Sequence, residues 1–168
     1  MKNPIHALEQ RFAYQFKDNI GIDIARGWAD GFVKLCEAID AETASDPTGQ
    51  HYGFHWRQVK EKFGTARLYY RMDGTRPTLR VDAIDAGGNV TPLYRSSEPD
   101  RSSGATPQGT VAALIEAAEL WMQRVCIVCG RTPAALDKTG GCILNLCEHH
   151  AQQRNADRNS LESPGFED

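Results

Sequence analysis

Residues 126–150 read CIVCGRTPAALDKTGGCILNLCEHH, and this stretch decides the fold of the last quarter of the chain. It places Cys126, Cys129, Cys147 and His150 in the spacing C-x2-C-x17-C-x2-H. Thiolates and an imidazole are ligands that tetrahedral Zn²⁺ prefers, and the spacing lies in the range expected for zinc sites. We predict one zinc ion here. Because four protein ligands fill its shell, the ion is expected to be structural rather than catalytic.

Two alternatives to this ligand set stay open. Cys142 in place of His150 gives four thiolates spaced C-x2-C-x12-C-x4-C, whereas in the first interpretation Cys142 packs beside Leu144. The other alternative is a metal-free protein whose cysteines are ordinary buried hydrophobic residues. If a helix begins at about Cys147, residues three apart share a face. Cys147 and His150 then converge, and His149 points elsewhere.

The local pattern around these ligands predicts a treble-clef-like finger. Cys126 to Gly130 have the form of a zinc knuckle, in which the glycine tolerates the bend of the chain. The segment DKTGG at 137–141 predicts a turn between two short strands. The helix that follows supplies the last two ligands.

Three amphipathic helices are predicted before the finger. Asn3 and Pro4 are expected to open the first, and Thr106 and Pro107 cap the third, which leads directly into Cys126. Apolar residues at helical spacing define one buried face in each helix. The faces are Ile5, Leu8, Phe12 and Phe16 in the first, Trp28, Phe32, Leu35, Cys36 and Ile39 in the second, and Val111, Leu114, Ile115, Ala118, Trp121 or Met122, and Val125 in the third.

The middle of the chain predicts a small antiparallel sheet of two hairpins. In the first, within 55–72, Gly64 and Thr65 are expected to form a type II′ turn, which opposes Glu61 to Leu68. One face is then mostly apolar and the other basic and partly aromatic. The residues predicted on the basic face and considered for anion or partner binding are Trp56, Lys60, Lys62, Arg67, Tyr69 and Arg71.

A second hairpin is predicted within 78–94, turning at 86–89, with Pro92 indicating an edge strand. The fold class is therefore α+β: N-terminal helices, a small antiparallel sheet, and a third helix leading into the finger. The predicted division is an α+β domain at 1–125 with an insertion at about 75–106, a zinc-finger subdomain at 126–155 and a disordered tail at 156–168.

Composition is that of a globular chain of 168 residues with net charge −3. No long uncharged apolar run is present, and the start MKNPIHALEQ has no apolar signal-like region, so no membrane contact and a cytoplasmic location are expected. Five cysteines, two of them as a close C-x-x-C pair, favour metal over disulfides in a reducing compartment.

Two motifs together resemble a family of small, largely uncharacterised bacterial and phage-borne proteins. They are VKEKFG at 59–64, followed by Arg67 and Tyr69, and the C-terminal C-x2-C-G with L-C-x2-H. The resemblance implies ligation by the four residues named first, because Cys142 falls outside the pattern. It implies no enzymatic activity, and a phage setting would suit a modulator or inhibitor of a host macromolecule. The segment at about 75–106 departs from the family pattern.

The charge of the first hairpin suggests a binding role. Residues 54–80 contain seven Lys or Arg and two acids. We expect a non-enzymatic protein that recognises a protein partner, with nucleic-acid binding through the basic face as the alternative. A merely solvated outer face is also compatible. An enzyme is disfavoured because His6, His51, His55 and His149 lack any catalytic motif, although Glu61 on the apolar face is an anomalous carboxylate.

Overall fold

A computed structural model describes residues 4–17, 21–75, 80–85, 87, 90–95 and 106–156. The protein is α+β, as the sequence predicts. The helices are α1 (Pro4–Arg11), α2 (Ala29–Thr43), α3 (Pro107–Met122) and α4 (Glu148–Ala156). The strands are β1 (Ile22–Asp23), β2 (His55–Lys62), β3 (Thr65–Arg71), β4 (Arg80–Ile84), β5 (Val90–Arg95), β6 (Ala135–Asp137) and β7 (Leu144–Leu146).

Both predicted hairpins form, but they belong to separate sheets. The sheet β1-β2-β3 has β1 parallel to β2, and β4-β5 and β6-β7 are two-stranded. Strand β1 was not predicted, because two residues are too short to show an alternating pattern. In β4-β5, Asp82 pairs with Pro92 after a register irregularity. Most of the predicted turn at 86–89 lies outside the described residues, as do Asn3, the loop at 96–105 and the tail at 157–168.

Helix α3 packs against β3 and α2, α1 packs against α2, and α4 contacts β7 in the finger. Thr106 caps α3 by accepting a hydrogen bond from the Gly109 N–H at 3.2 Å, as predicted. Met122 is buried and Trp121 is 37 % exposed, which decides between the two candidates for the α3 core face. The core cluster runs continuously from α1 into the finger, and its largest fully buried side chains include Trp28, Phe32, Phe54 and Trp56.

The first hairpin turns one residue earlier than predicted. Phe63 and Gly64 have φ of 56° and 73°, and Lys62 pairs with Thr65. Two positive φ values in a row favour the type I′ turn over the predicted type II′ turn. Glu61 consequently opposes Ala66 rather than Leu68. Because each partner shifts by two residues, the side chains near the turn keep the faces that the sequence assigned to them.

A second irregularity moves Trp56 into the core. The register shifts between Trp56 and Gln58, so that Arg57 is an extra residue in β2. Such a bulge reverses the face of the residues beyond it. Trp56 is fully buried, its ring centroid lies 5.3 Å from that of Phe32, and its Nε1 donates to Gln15 Oε1 at 3.3 Å. Its predicted place on the basic face is therefore wrong.

Candidate metal centre

The first half of the site is a tight turn after α3. The Gly130 N–H donates to the Cys126 carbonyl at 2.9 Å, and the Cys126 N–H donates to the Arg131 carbonyl at 2.9 Å. Gly130 has φ of 75°, a conformation that a side chain disfavours. This geometry turns the chain so that the Cys126 and Cys129 sulfurs lie on the same side, as a knuckle requires.

The second half lies at the start of α4. The Ala151 N–H donates to the Cys147 carbonyl at 2.9 Å, which makes Cys147 the residue at which the first helical turn begins. His150 lies in that turn, and its Nδ1 is 3.2 Å from the Cys147 sulfur. The positive end of the helix dipole favours a thiolate at this position.

The four possible ligand atoms lie close together, and two of their separations are near those of a tetrahedral metal site. All lie within 4.8 Å of one another. Cys129 and Cys147 Sγ are 3.8 Å apart, and Cys126 Sγ is 3.5 Å from His150 Nδ1. Metal bonds of about 2.3 Å to sulfur and about 2.05 Å to nitrogen give tetrahedral edges of about 3.8 Å between sulfurs and about 3.6 Å between sulfur and nitrogen. The cluster is therefore close enough to hold a metal ion.

The electrostatics of the cluster favour a bound cation. Burial opposes ionisation of Cys126, but the backbone N–H groups of Cys147 and Cys129 point at its sulfur and lower its pKa. For Cys147, burial is outweighed by the backbone N–H and ring of His150, and the pKa is again lowered. Burial and the two neighbouring sulfurs raise the pKa of Cys129. Three adjacent thiols cannot all ionise unless a positive charge lies between them.

The structure separates the predicted ligands from their alternatives. Cys142 and His149 are exposed and do not belong to the cluster of four ligand atoms. The Cys142 carbonyl instead accepts a hydrogen bond from Arg154 Nη2 at 2.7 Å. Cys142 is thus not a member of the cluster. It is also not buried beside Leu144, so both roles that the sequence offered for it are wrong.

Contacts with the rest of the protein hold the knuckle in place. The Gly27 N–H donates to the Ile127 carbonyl at 2.8 Å, and Trp28 Nε1 donates to the Val125 carbonyl at 3.0 Å. A Cβ on Gly27 would lie 2.1 Å from the Cys126 carbonyl oxygen. The short 3-10 turn Arg26–Trp28 before α2 therefore packs directly on the metal site, with room only for glycine.

The strands of the finger are held from two sides. The side-chain Nδ2 of Asn145 in β7 donates to the Met122 carbonyl at 3.0 Å. The backbone carbonyl of Asn145 accepts from the Ile127 N–H at 2.9 Å. Arg154 in α4 lies 3.7 Å from the Asp137 carboxylate, and both side chains are less than a tenth exposed. Sequence reasoning missed Gly27, Asn145 and Arg154 in these roles. Their partners are remote in sequence, and no local pattern marks them.

The basic face of β2 and β3 is smaller than predicted. Lys62 and Arg71 are exposed, Lys60 and Tyr69 are half-buried, and the Lys60 ammonium lies 5.8 Å from the Tyr69 ring centroid. Arg67 is only 6 % exposed, with its guanidinium 5.8 Å from the Phe63 ring centroid, so its prediction as a surface cation is wrong. The surface cations of this face are Arg57, Lys60, Lys62 and Arg71, which we call the basic face from here on.

The residues considered for catalysis lie in different places. The His6 ring contacts Glu9, the His51 ring stacks on Tyr14 with centroids 3.8 Å apart, and His55 Nδ1 lies 2.9 Å from the Gly53 carbonyl. Glu61 is half-buried and accepts a hydrogen bond from the Gly64 N–H. Burial raises its pKa, although the Gly64 N–H opposes the rise. Its carboxylate thus has a structural role in the turn.

Comparison with protein-family models, with curated proteins and with solved structures gives no match. Among the described residues, every helix falls short of the length and apolarity that a membrane span needs.

Proposed function

We propose that the protein is a non-enzymatic, zinc-stabilised binding protein whose basic face recognises an acidic protein partner. The observation that carries the zinc assignment is the set of distances between sulfur and nitrogen atoms in the cluster. Three sulfurs and one imidazole nitrogen within 4.8 Å of one another are the donor set of a structural zinc site. Since four side chains complete the coordination, no position is left for a substrate or a reactive water.

Metal content of two cysteine variants tests the zinc assignment. The wild-type protein and Cys142→Ser are expected to contain about one zinc per chain by elemental mass spectrometry, because Cys142 lies outside the cluster. Cys129→Ser removes one of four ligands and is expected to lose most of the metal. Equal zinc in Cys129→Ser and wild type, or loss of zinc in Cys142→Ser, would contradict the ligand set.

The arrangement of the basic face supports a protein partner over a nucleic acid. Single-stranded nucleic acids are bound by aromatic side chains that stack on successive bases, in addition to cations. Trp56 lies in the core, and the two rings left beside these cations, Tyr69 and Phe63, are each covered by a lysine ammonium. The cations Arg57, Lys62 and Arg71 remain exposed, which suits carboxylates on the surface of a partner.

Binding to a model acidic chain tests this proposal. Fluorescent poly-L-glutamate is expected to bind at low salt, and the affinity should fall as salt is added, because exposed charges are screened. The double variant Lys60→Glu/Lys62→Glu is expected to lose binding. The matched control Lys34→Glu/Arg131→Glu changes two exposed cations elsewhere and should retain it. Equal loss of poly-L-glutamate binding in both double variants would show that binding depends on the net charge of the protein and not on the basic face.

The same variants test nucleic-acid binding. A labelled DNA duplex and a single strand of RNA are measured under the same salt conditions. Retention of either by the wild-type protein, with no binding of poly-L-glutamate, would replace the acidic-protein proposal with the nucleic-acid alternative. Binding of none of the three probes would leave the basic face as a solvated surface and overturn the binding proposal.

A further inference from the structure

Three exposed arginines lie around the knuckle of the metal site. Arg26 directly precedes Gly27, whose Cβ position lies 2.1 Å from the Cys126 carbonyl oxygen. The Arg131 carbonyl accepts a hydrogen bond from the Cys126 N–H at 2.9 Å, and Arg124 lies two residues before Cys126 in the turn after α3. All three side chains are exposed. The backbone contacts at Cys126 therefore bring three surface cations to one place, where α2 begins and α3 ends.

The guanidinium groups of these three arginines are unpaired within the described residues, since none makes a hydrogen bond or an ion pair there. The exposed acids nearest to Arg26 along the chain, Asp23 and Asp30, do not pair with it. A guanidinium is always charged, and its planar fork of N–H groups matches phosphate oxygens through two parallel hydrogen bonds. The three arginines are therefore available to an anion from outside the protein.

Trp121, at the end of α3, is the aromatic residue beside these cations. The Arg124 N–H donates to the Trp121 carbonyl at 2.9 Å, so the two residues are one turn apart. Among the aromatic side chains whose burial the structure describes, Trp121 alone is exposed. A Cβ on Gly31 of α2 would lie 2.1 Å from its six-membered ring, so the indole packs by one edge against α2. The ring is thus held in position and is partly open to solvent.

We propose that Trp121 and the arginines Arg26, Arg124 and Arg131 form a surface that binds single-stranded nucleic acid, which we call the knuckle surface. In this arrangement an unpaired base stacks on the open part of the indole, and the neighbouring phosphates contact the arginines. Aromatic stacking and cations along the backbone are the two means by which proteins hold single strands without reading their sequence. Because every base has a flat π face, we expect little preference among sequences.

The exposed indole is the reason for choosing a single strand over a duplex or an acidic protein. A duplex keeps its bases stacked on one another, so it offers phosphates to the arginines but no open base to the indole. Carboxylates on a protein satisfy the arginines and leave the indole in water. On the basic face, by contrast, the rings of Tyr69 and Phe63 each carry a lysine ammonium. The knuckle surface contains no residue of the basic face, so the proposal stands or falls independently of the proposed function.

Fluorescence titration of the zinc-loaded full chain tests the stacking. Trp28 and Trp56 are fully buried, so quenching of the tryptophan emission by a strand reports on Trp121. Oligothymidylate of about 12 nucleotides is expected to quench the wild-type protein at low salt. Trp121→Leu should bind a labelled strand about tenfold more weakly, whereas Trp121→Phe keeps a ring and should bind nearly as the wild type does. Circular dichroism of both variants verifies that they are folded. No binding by the wild type, or equal affinity of Trp121→Leu, would overturn the proposal.

The salt dependence of two matched variants tests the arginines. Arg26→Ala/Arg131→Ala removes two phosphate contacts, so the slope of log affinity against log salt should become shallower by about 1.4, at about 0.7 per contact. Lys60→Ala/Lys62→Ala makes the same change in net charge on the basic face and should keep the wild-type slope. An unchanged slope in the arginine variant would overturn the proposal, and a shallower slope in the lysine variant alone would place the site on the basic face instead. Equal affinity for a duplex of the same length would also contradict it, since paired bases do not stack on Trp121.

Discussion

The hairpins β2–β3 and β6–β7 have the same topology but are stabilised by different means. Strands β2 and β3 have eight and seven residues, and their inner face, with Trp56, Val59, Leu68 and Tyr70, is buried in the core. Strands β6 and β7 have three residues each, and Leu136 of β6 is 44 % exposed. The first hairpin buries enough apolar surface to be stable on the domain, and the second does not.

The short hairpin instead lies between the two halves of the candidate metal site and is held by polar contacts. Cys126 and Cys129 precede it, Cys147 and His150 follow it, and Arg154 contacts the Asp137 carboxylate and the Cys142 carbonyl. A small unit without a core of its own generally needs a metal or other crosslinks. We infer that the long hairpin is stabilised by the core and the short one by the proposed metal ion, and the predictions that follow separate the two.

Removal of the metal should have the largest effect and should act on one hairpin only. A strong chelator is expected to lower the free energy of unfolding by at least about 4 kcal/mol, because metal binding is folding energy for the finger. Hydrogen exchange should accelerate in β6, β7 and α4, while β2 and β3 keep their protection. Equal acceleration of hydrogen exchange in both hairpins, or continued protection of the finger without metal, would contradict the proposed difference between the hairpins.

Gly27→Ala tests how the finger is attached to the domain. The new Cβ would lie 2.1 Å from the Cys126 carbonyl oxygen, which is backbone and cannot rotate away. We expect a loss of about 3 kcal/mol in urea unfolding. Gly21→Ala is the matched control, since nothing lies within 4 Å of its Cβ position and little change is expected there. Equal stability of the two variants would show that the backbone at this contact shifts to make room for the new Cβ.

Arg154→Met tests the polar support of the short hairpin. It keeps most of the apolar volume but leaves the buried Asp137 carboxylate without its cation, and the Cys142 carbonyl loses a donor. The expected cost is about 2 kcal/mol, measured by urea unfolding, with faster exchange confined to β6 and β7. Gln153→Met, one position away on the exposed side of α4, should change little. Faster hydrogen exchange in β2 and β3 instead would contradict the role of Arg154 in the short hairpin.

Glu61→Gln should have the smallest effect, and it concerns the long hairpin. Burial raises the pKa of Glu61 above its ordinary value of 4.5, so the folded protein holds this proton more tightly than the unfolded chain. The stabilisation is complete below the ordinary pKa and is lost as pH rises through the raised value. Wild-type stability should therefore fall relative to Glu61→Gln over this pH range. If the free energies of unfolding of the wild type and Glu61→Gln change with pH in the same way, the pKa of Glu61 is not raised by folding.

Much of the fold was predictable because its signals are local. The face of α2, the Thr106 cap and the knuckle all depend on residues within a few positions of one another. The first helix is shorter than predicted, because it ends at Arg11 and its expected face residue Phe16 lies in a following 3-10 turn. The errors in the first hairpin have a common origin. A two-residue turn has several permitted positions, and Phe63 at φ of 56° is an uncommon choice for a left-handed position, so Gly64 alone suggested the wrong pair.

The amino-acid sequence by itself determined the α+β class and the ligand pair Cys126–Cys129, and it left His150 and Cys142 as alternatives for the ligand beside Cys147. Only the tertiary structure decided that His150 and not Cys142 completes the cluster, that the bulge at Arg57 buries Trp56, and that Gly27 packs on the knuckle. The physical reason is the difference between local and long-range interactions. Local spacing sets which side chains share a face, but burial and long-range contact depend on how separate elements pack.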